Sequence, residues 1–387
     1  MRLEVFNLGL RRLGMVNQFS MVQYTEKFCG VGSFTLSLPI TDDNIRLLKK
    51  NRILWLEEDV AGVIQYVEKV RDNSTNLTVK GSLLSCILDW RWVYPSFIKT
   101  GNPIQLMVGL VNTHCVNPSN SNRKFTGLST IGNTTDKPSV SYQKTGGSVR
   151  EAIEELGLAN DLGYSVVFNP RWENPLAFKV LSGKYRGKDN YNPVIFSQSL
   201  NNIIKGEYIY NDEAYRCVAL VAGEAVNKEQ EEVEGSQRRT IEVGNTESSG
   251  LYRRELYVDA RDLQSEYSEE EEVTDEEGNT STQYVEKTLS DEEYLANLTQ
   301  RGNEKLSEHP IEESYSGEVR TDSDTIFRYG RDYFLGDTVI VQDEELGVMI
   351  DATVTEMTVT YDSTGYSYEP TFGYGLPTLE NKIKRSV

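Results

Sequence analysis

Two stretches of this sequence, one near each end, share the same order of features, as would be expected of a fold with repeated β units. Near the C-terminus, the β-branched run Thr338–Val341 is followed by an acidic turn and by a second run, Val348–Thr360. Arg52–Leu56, an acidic turn ending in glycine and Val63–Val70 repeat this order near the N-terminus. Alternation of apolar with small or polar residues is typical of strands with one buried face. The repetition about 285 residues apart predicts two related β units, although two unrelated hairpins would also look alike at this level.

The composition favours a folded, β-rich protein whose surface does not grip nucleic acid. Apolar residues make up 38% of the 387 residues, with 22 Tyr and 12 Phe, as is typical of β-rich globular chains. The net charge of −19 disfavours tight binding to phosphates. No stretch approaches the roughly 20 apolar residues of a membrane span, and the strand-like, acid-containing N-terminus is unlike a signal peptide. The four cysteines lack metal-type spacing, so we expect buried thiols in a reducing compartment.

We expect an α+β, β-rich fold of three parts and a tail. The predicted divisions are a first β unit at 1–95, a mixed α/β unit at 96–200, a second β unit at 201–373 and a C-terminal tail at 374–387. A capping box at Ser148 predicts a helix that ends at Gly157. In the second β unit, the strongly acidic insert 262–287 predicts a solvated hairpin or flexible loop. A second capping box, at Ser290, predicts a helix over 291–307.

No combination of residues predicts catalysis, a cofactor or a metal site. The two histidines, His114 and His309, lie in unrelated contexts and form no zinc signature. With 59 acidic residues, a glycosidase-type carboxylate pair carries no information. Asp275, Glu277 and Asn279 alternate loosely like calcium ligands, but the loop lacks the downstream Glu of an EF-hand, which favours a solvated loop. We therefore expect no enzyme activity and no catalytic, cofactor or metal residues.

Aromatic residues gather in two places. One group is Trp90, Trp92 and Tyr94, predicted to point to one side of an extended segment, and the other is Tyr329, Tyr333, Tyr366 and Tyr368. Core and cross-strand packing is the simplest interpretation of both groups. An interface with neighbouring subunits is the alternative, because Tyr and Trp are enriched there.

The sequence resembles siphophage tail-tip hub proteins, the ReqiPepy-type siphovirus tail protein family, and more distantly the hub proteins of contractile tails. The residues that carry the resemblance form two sets. The N-terminal motif is Gly32, Phe34, Leu36, Pro39, Gly62 and Gly81. The C-terminal motif is Tyr329, Gly330, Asp332, Tyr333, Leu335, Gly336, Asp337, Phe372 and Gly373. The likeness covers nearly the whole chain in order, whereas the insert 262–287 has no counterpart.

The resemblance implies a homotrimer that closes the tail tube at the virion tail tip, after synthesis in the bacterial host cytoplasm. Each subunit would supply two tail-tube-like β-barrel domains with the mixed α/β domain between them, so that three copies match a sixfold tube. The implied partners are the distal tail protein, the tail tube, the tape-measure protein and a fibre or receptor-binding protein, with DNA only in passage. The alternatives are a tail-associated peptidoglycan hydrolase or endopeptidase, and a carbohydrate-binding adhesin.

Acidic residues in the two hairpin turns acquire a role under this resemblance. These residues are Glu57, Glu58, Asp59, Asp343, Glu344 and Glu345. If they line a channel through which DNA leaves, carboxylate–phosphate repulsion would keep the DNA from sticking. The sequence therefore predicts an acidic lumen at these positions.

Overall fold

A computed structural model describes residues 2–71, 75–132, 137–204, 206–226, 236–274, 280–320, 325–345 and 347–373. Strands account for 45% and helices for 19%, so the fold is β-rich α+β, as predicted. None of the helices in these ranges is both long enough and apolar enough to cross a membrane.

The N-terminal module is an antiparallel sheet with one short helix. Its elements are β1 (Leu3–Asn7), β2 (Arg12–Val16), β3 (Met21–Lys27), β4 (Ser33–Pro39), α1 (Asp42–Leu47), β5 (Arg52–Glu57), β6 (Val60–Arg71) and β7 (Thr75–Leu83). The strands lie in the order β3-β4-β7-β6-β5-β1-β2. Thr41 begins α1, because its side chain accepts a hydrogen bond from the Asn44 backbone N–H at 3.1 Å.

The middle unit contains both helices and strands. It begins with a 3-10 helix at Leu84–Trp90 and continues with β8 (Phe97–Gly101), α2 (Pro103–Val111), a π-helical turn at Asn112–Val116, β9 (Leu128–Ile131), β10 (Val140–Lys144), α3 (Val149–Ala159), β11 (Gly163–Phe168) and β12 (Leu176–Leu181). Its strands form two small sheets, β10-β8 and β11-β12-β9. Phe6, Ile53 and Val63 of the N-terminal module belong to the same apolar core as α2 and α3, so the two units pack together.

The predicted end of α3 at Gly157 is wrong. The capping box at Ser148 is present, but the helix continues through Gly157 to Ala159. A Cβ at Gly157 would lie 2.7 Å from the Leu162 carbonyl oxygen and 2.9 Å from Cys29 Sγ. This glycine therefore permits a close approach between helix and neighbouring chain rather than ending the helix.

The remainder of the chain forms a second sheet unit with a long insertion. The elements are β13 (Ile195–Ser197), β14 (Glu207–Asn211), β15 (Val218–Ala225), β16 (Arg238–Gly244), β17 (Glu255–Asp259), β18 (Glu266–Thr274), β19 (Thr280–Thr288), α4 (Asp291–Ser307), β20 (Glu312–Ser316), β21 (Thr338–Asp343), β22 (Val348–Asp362) and β23 (Gly365–Gly373). The C-terminal module comprises β13, β14 and β20 to β23. Between β14 and β20, the strands β15 to β19 and α4 form the inserted unit.

The inserted unit has a small core of its own. Val221 and Val243 from the sheet β16-β15-β17 pack with Tyr294 and Leu298 of α4. The helix predicted from Ser290 is confirmed, and its capping box is formed. The acidic insert forms the antiparallel hairpin β18–β19. The calcium-like residues Asp275, Glu277 and Asn279 lie outside the described residues, as does the C-terminal tail 374–387.

The two modules form one continuous sheet, because β22 pairs with β3 in antiparallel register. Thr358 lies opposite Thr25, and their hydroxyl oxygens are 2.8 Å apart. Lys27 Nζ also forms an ion pair with Glu356 at 2.8 Å. Both modules contribute to one apolar core that extends from Leu3 to Phe372.

The modules share a strand order. The sequence β3-β4-β7-β6-β5 of the first corresponds to β14-β20-β23-β22-β21 of the second, with every neighbouring pair antiparallel. β6 and β22 each carry an irregularity at the same place, at Gln65 and Thr355. At the end of the row the modules differ, because β1 pairs antiparallel with β5 whereas β13 pairs parallel with β21. This topology agrees with the prediction of two related β units, although no closed barrel is found among the described strands.

Candidate functional site

The glycines of the N-terminal motif make room for one aromatic ring. Phe34 on β4 is buried, and a Cβ at Gly62 would lie 2.5 Å from its ring. At Gly81, a Cβ would lie 2.7 Å from the same ring and 1.9 Å from the Val63 carbonyl oxygen. These distances are far below normal contact, so only glycine lets β6, β7 and Phe34 pack this closely. Leu36 is buried as well, while Pro39 ends β4 at the exposed surface.

The C-terminal motif supplies aromatic core and turn residues to the C-terminal module. Tyr333 is fully buried, with its ring centroid 5.1 Å from that of Phe196 and 5.6 Å from that of Tyr329. The ring centroid of Phe372 lies 4.9 Å from that of Phe196. Gly330 has φ = +81°, a conformation that favours glycine. The motif is therefore an aromatic cluster closed by a tight turn.

Asp337 of this motif is a buried structural carboxylate. It is only 3% exposed, and it accepts hydrogen bonds from the backbone N–H groups of Lys184 at 2.8 Å and Phe334 at 3.1 Å. It also forms an ion pair with Arg186 Nε. Asp337 thereby fastens the chain after β12 to the beginning of β21. Nothing in the local sequence pattern indicated this partner, which lies about 150 residues earlier.

The two motifs meet in a shallow cleft at the junction of the two modules and the middle unit. Gly32 and Leu335 line it together with Glu26, Asp59 and Tyr164. Next to the cleft, the Phe28 ring packs on Gly336, where a Cβ would come within 2.3 Å of it. The Phe28 N–H donates to the Thr355 carbonyl oxygen at 2.8 Å. We call this place the junction cleft.

The acids of the first hairpin turn are partly engaged at the junction cleft. Glu57 accepts a hydrogen bond from the Tyr24 hydroxyl at 2.6 Å, and Asp59 forms an ion pair with Lys179 at 2.8 Å. Burial, together with the charges of Glu57 and Asp59, raises the pKa of the neighbouring Glu26 carboxyl to about 7. Glu57 and Glu58 are exposed and Asp59 is half-buried. Two of the three predicted lumen acids of this turn therefore lie on the surface, and of these Glu57 is the one that binds the Tyr24 hydroxyl.

The acids of the second hairpin turn are at the equivalent position of the other module. Asp343 is half-buried, whereas Glu344 and Glu345 are exposed. Because β5–β6 and β21–β22 correspond, the two acidic turns lie at matching ends of matching hairpins. The three acids of the first turn and the three acids of the second turn therefore occupy equivalent positions in the two modules.

The histidines and cysteines belong to no candidate metal site among the described residues. His114 is fully buried in the π-helical turn, and burial together with the charge of Arg123 lowers its pKa to about 4. His309 follows α4, and its backbone carbonyl accepts from Arg216. Cys86, Cys115 and Cys217 are buried free thiols and Cys29 is a half-buried one. Within the part of the chain that the structure describes, no three His, Cys, Asp or Glu residues are grouped to hold a metal ion.

The two aromatic groups have different surroundings. Tyr333 is buried, and Tyr329 and Tyr368 pack against the common core, as the packing interpretation predicts. That interpretation is wrong for the first group, because Trp90, Trp92 and Tyr94 are 42%, 62% and 75% exposed. Trp90 ends a 3-10 helix rather than lying in an extended segment. An exposed aromatic group of this size is typical of a contact surface.

A buried polar cluster on α4 lies next to Glu155 of the middle unit, and no local sequence pattern predicted it. Glu304 on α4 is buried and accepts from Gln300 Nε2 at 3.0 Å. Arg301 binds both carboxylate oxygens of Asp262 at 2.9 Å. Burial and the nearby Glu155 raise the pKa of the Glu304 carboxyl to about 7. The folded protein therefore keeps Glu304 protonated up to a higher pH than the unfolded chain does.

This preference predicts a pH-dependent stability that Glu304→Gln removes. A pKa raised from 4.5 to about 7 favours folding at low pH, and that contribution disappears as the pH rises between these values. Relative to the unchanged protein, Glu304→Gln should gain about 1–3 kcal/mol in unfolding free energy on going from pH 5 to pH 8. Urea unfolding at both pH values measures the difference. The exposed Glu292→Gln on the same helix is the control, and an equal pH dependence for both variants would refute the assignment.

The sequence as a whole matches the family described as Siphovirus ReqiPepy6 Gp37-like protein, over residues 2–374. The chain belongs to this family. This is a siphovirus tail protein family, which implies a place in the virion tail. The predicted family resemblance is confirmed. No curated protein is significantly similar to the sequence.

Solved structures of phage tail proteins share the fold of this family member. The 43 kDa tail protein of prophage MuSo2 from Shewanella oneidensis has a TM-score of 0.55 and 12% identity, with 97% of this chain and 98% of that chain covered. Prophage tail protein gp18 from Listeria monocytogenes EGD-e gives 0.54 and 11%, covering 100% and 98%. The tail protein from Neisseria meningitidis MC58 gives 0.53 and 11%, covering 96% and 95%. At such low identity these similarities establish a common fold.

Proposed function

We propose that this chain is the baseplate hub at the tail tip, where three copies close the end of the tail tube. The hub would connect the tube and the tape-measure protein to the distal tail protein and to fibre or receptor-binding proteins. DNA would pass through its channel during ejection. The observation that carries this proposal is the repeated module, because two equivalent units in one chain let three subunits present six similar surfaces to a sixfold tube.

The proposed domains follow the modules. Residues 1–95 and 201–373 would each form a tail-tube-like barrel domain once assembled, with 96–200 as the mixed domain between them. The inserted unit would extend from the second barrel domain and pack against the mixed domain, since it has its own small core and Asn297 Oδ1 on α4 accepts a hydrogen bond from Ser141 Oγ. The strand pairing of β22 with β3 supports placing the two domains side by side.

The mass of the purified protein, alone and mixed with its tail-tube neighbour, tests the proposal. Analytical ultracentrifugation should give three times the mass of one chain for the free protein or for its complex with the tube. A protein that stays monomeric at tens of micromolar in both conditions would overturn the proposed hub.

The exposed group Trp90, Trp92 and Tyr94 favours a second candidate function, a carbohydrate-binding adhesin. The hub proposal instead assigns this surface to a neighbouring tail protein and assigns no catalytic role to the chain. Binding of the isolated protein to host cells would favour the adhesin. Release of fragments from purified cell wall would favour the remaining alternative, a peptidoglycan hydrolase or endopeptidase.

We further propose that the exposed acids of the two hairpin turns face the DNA channel. Replacing Glu58, Glu344 and Glu345 together by Lys should slow genome ejection several-fold while particles still assemble, because lysine attracts the passing phosphates. Ejection can be timed by the fluorescence of released DNA. The control replaces three exposed acids elsewhere, Glu173, Glu247 and Glu292, and makes the same change in net charge. Equal ejection rates for the two triple variants would contradict the proposal that these acids face the DNA channel.

A further inference from the structure

Two of the strand edges that lack a backbone partner among the described residues belong to β6 and β14 of the continuous sheet. β5 pairs with β6 only as far as Val63, so the edge of β6 beyond the Gln65 irregularity is open on the side away from β7. In the described part of the chain β14 pairs only with β20, so its other edge is open there. The side chains of Gln65, Tyr66, Glu68 and Lys69 are exposed, consistent with an uncovered edge. Open edges of this length favour pairing with another strand.

Because the two modules share a strand order, each open edge has an equivalent strand in the other module. A row of directly paired residues crosses the first module at Tyr24, Phe34, Gly81 and Ile64. The matching row crosses the second module at Tyr208, Tyr315, Phe372 and Val354. Each row ends immediately before the strand irregularity, at Gln65 or Thr355. The open edge of β6 therefore corresponds to the part of β22 that pairs with β3, and the open edge of β14 corresponds to β3.

The same correspondence gives a register. Within the chain, Thr358 of β22 lies opposite Thr25 of β3. Glu68 follows Gln65 as Thr358 follows Thr355, and Ile209 follows Tyr208 as Thr25 follows Tyr24. The equivalent pairing of the open edges would thus place Glu68 opposite Ile209, with the strands antiparallel.

We propose that β6 of one copy pairs with β14 of a second copy in this register, over Tyr66–Lys69 and Tyr208–Asn211. Within one chain, β22 and β3 already pair and join the two modules side by side. The open edges of β6 and β14 therefore lie on opposite sides of this junction in the strand order, and each needs a partner from another copy. Each copy therefore offers one edge of each kind. Such a head-to-tail contact repeats around a ring until it closes. The inference rests on the proposed hub assembly and specifies the contact between its subunits.

The side chains on the two edges suit this pairing. Val67 and Tyr208 both pack against the common apolar core, and in the proposed register they lie on the same face of the joined sheet. Val67 would lie opposite Tyr210, which is 55% exposed in the single chain. Aromatic–β-branched pairs of this kind stabilise neighbouring antiparallel strands. Pairing would cover Tyr210 and extend the existing core across the contact.

Cysteine cross-linking tests the contact and its register. The double variant Glu68→Cys/Ile209→Cys should form disulfides between chains, giving covalent dimers and trimers on non-reducing gels, because directly opposed Cβ atoms are within reach of a disulfide. The internal positive control is Thr25→Cys/Thr358→Cys, which should link within one chain. The off-register control is Glu68→Cys/Tyr210→Cys, whose second cysteine would point to the other face and should give little cross-linking. Each single variant controls for the native thiols.

The outcomes separate this contact from the hub proposal. If copies associate by mass but the 68/209 pair does not link while the 25/358 pair does, the β6–β14 contact is overturned and the hub proposal stands. If no association occurs with or without the tube neighbour, both are overturned. Links at 68/210 as strong as at 68/209 would refute the register.

A charge exchange gives a second measurement that does not depend on oxidation. Ile209→Glu would place a carboxylate opposite Glu68. The apparent association constant of the copies, measured by analytical ultracentrifugation, should fall at least tenfold. Adding Glu68→Lys should restore association, because the opposed charges would then attract. Circular dichroism confirms that each variant is folded. Failure of the second substitution to restore association in folded protein would contradict the proposed contact.

Discussion

Replacing Asp337 with alanine is expected to lower the free energy of unfolding by about 3–5 kcal/mol. The carboxylate is buried, and removing it leaves the Arg186 guanidinium without its partner. The backbone N–H groups of Lys184 and Phe334 also lose their acceptor. An uncompensated, half-buried charge and two unsatisfied backbone donors together cost more than the original contacts contribute. Urea unfolding followed by tryptophan fluorescence measures the loss.

A surface ion pair provides the matched control for Asp337. Asp43 and Arg46 form a pair whose side chains are 81% and 71% exposed. Asp43→Ala should therefore change stability by less than about 1 kcal/mol. Adding Arg186→Met to Asp337→Ala should recover part of the loss, because the unpaired charge is then absent. A loss below about 1 kcal/mol for Asp337→Ala would show that the carboxylate does not hold the segment after β12.

Replacing Gly81 with alanine is expected to destabilise the N-terminal module by about 3 kcal/mol or more. The added Cβ would lie 1.9 Å from the Val63 carbonyl oxygen, so β6 and β7 would have to separate. The Phe34 ring, 2.7 Å from the same position, prevents movement toward β4. Phe34→Leu should not rescue the variant, since the overlap with the backbone remains. Thermal unfolding and limited proteolysis of residues 1–95 report the effect.

Gly101 is the corresponding control, because it also lies in a strand and its nearest neighbour for an added Cβ is Leu106 Cδ2 at 3.9 Å. Gly101→Ala should be neutral or slightly stabilising, by up to about 1 kcal/mol, through the reduced freedom of the unfolded chain. Similar stabilities for the Gly81→Ala and Gly101→Ala variants would show that the folded protein does not need a glycine at position 81 for close packing of β6 and β7.

Local sequence patterns predicted the local elements of this fold. The capping boxes at Ser148 and Ser290 identified two helix starts, because such a box depends on residues three positions apart. Alternating β-branched runs identified both hairpins for the same reason. Gly157 was misread as a helix end, because its role depends on Cys29 and Leu162, which the local pattern does not include.

Features that depend on distant contacts could not be predicted in this way. The pairing of β22 with β3, the partner of Asp337 and the network around Glu304 all join residues that are far apart in sequence. The acidic insert was visible as a charge run, but the inserted unit around it was not, because its core is assembled from β15, β16 and α4. At the candidate site, the motif residues were found through the family resemblance, whereas the junction cleft in which they meet required the structure.

The pairing of β3 with β22 also determines when the protein can finish folding during translation. Thr25 and Thr358 are separated by 333 positions, so a ribosome needs tens of seconds at about 5–20 residues per second to deliver the later strand. During that interval the nascent chain carries an unsatisfied β3 edge that can capture foreign strands. Premature termination leaves this edge open permanently, so truncated products would be the species that host chaperones and proteases must remove.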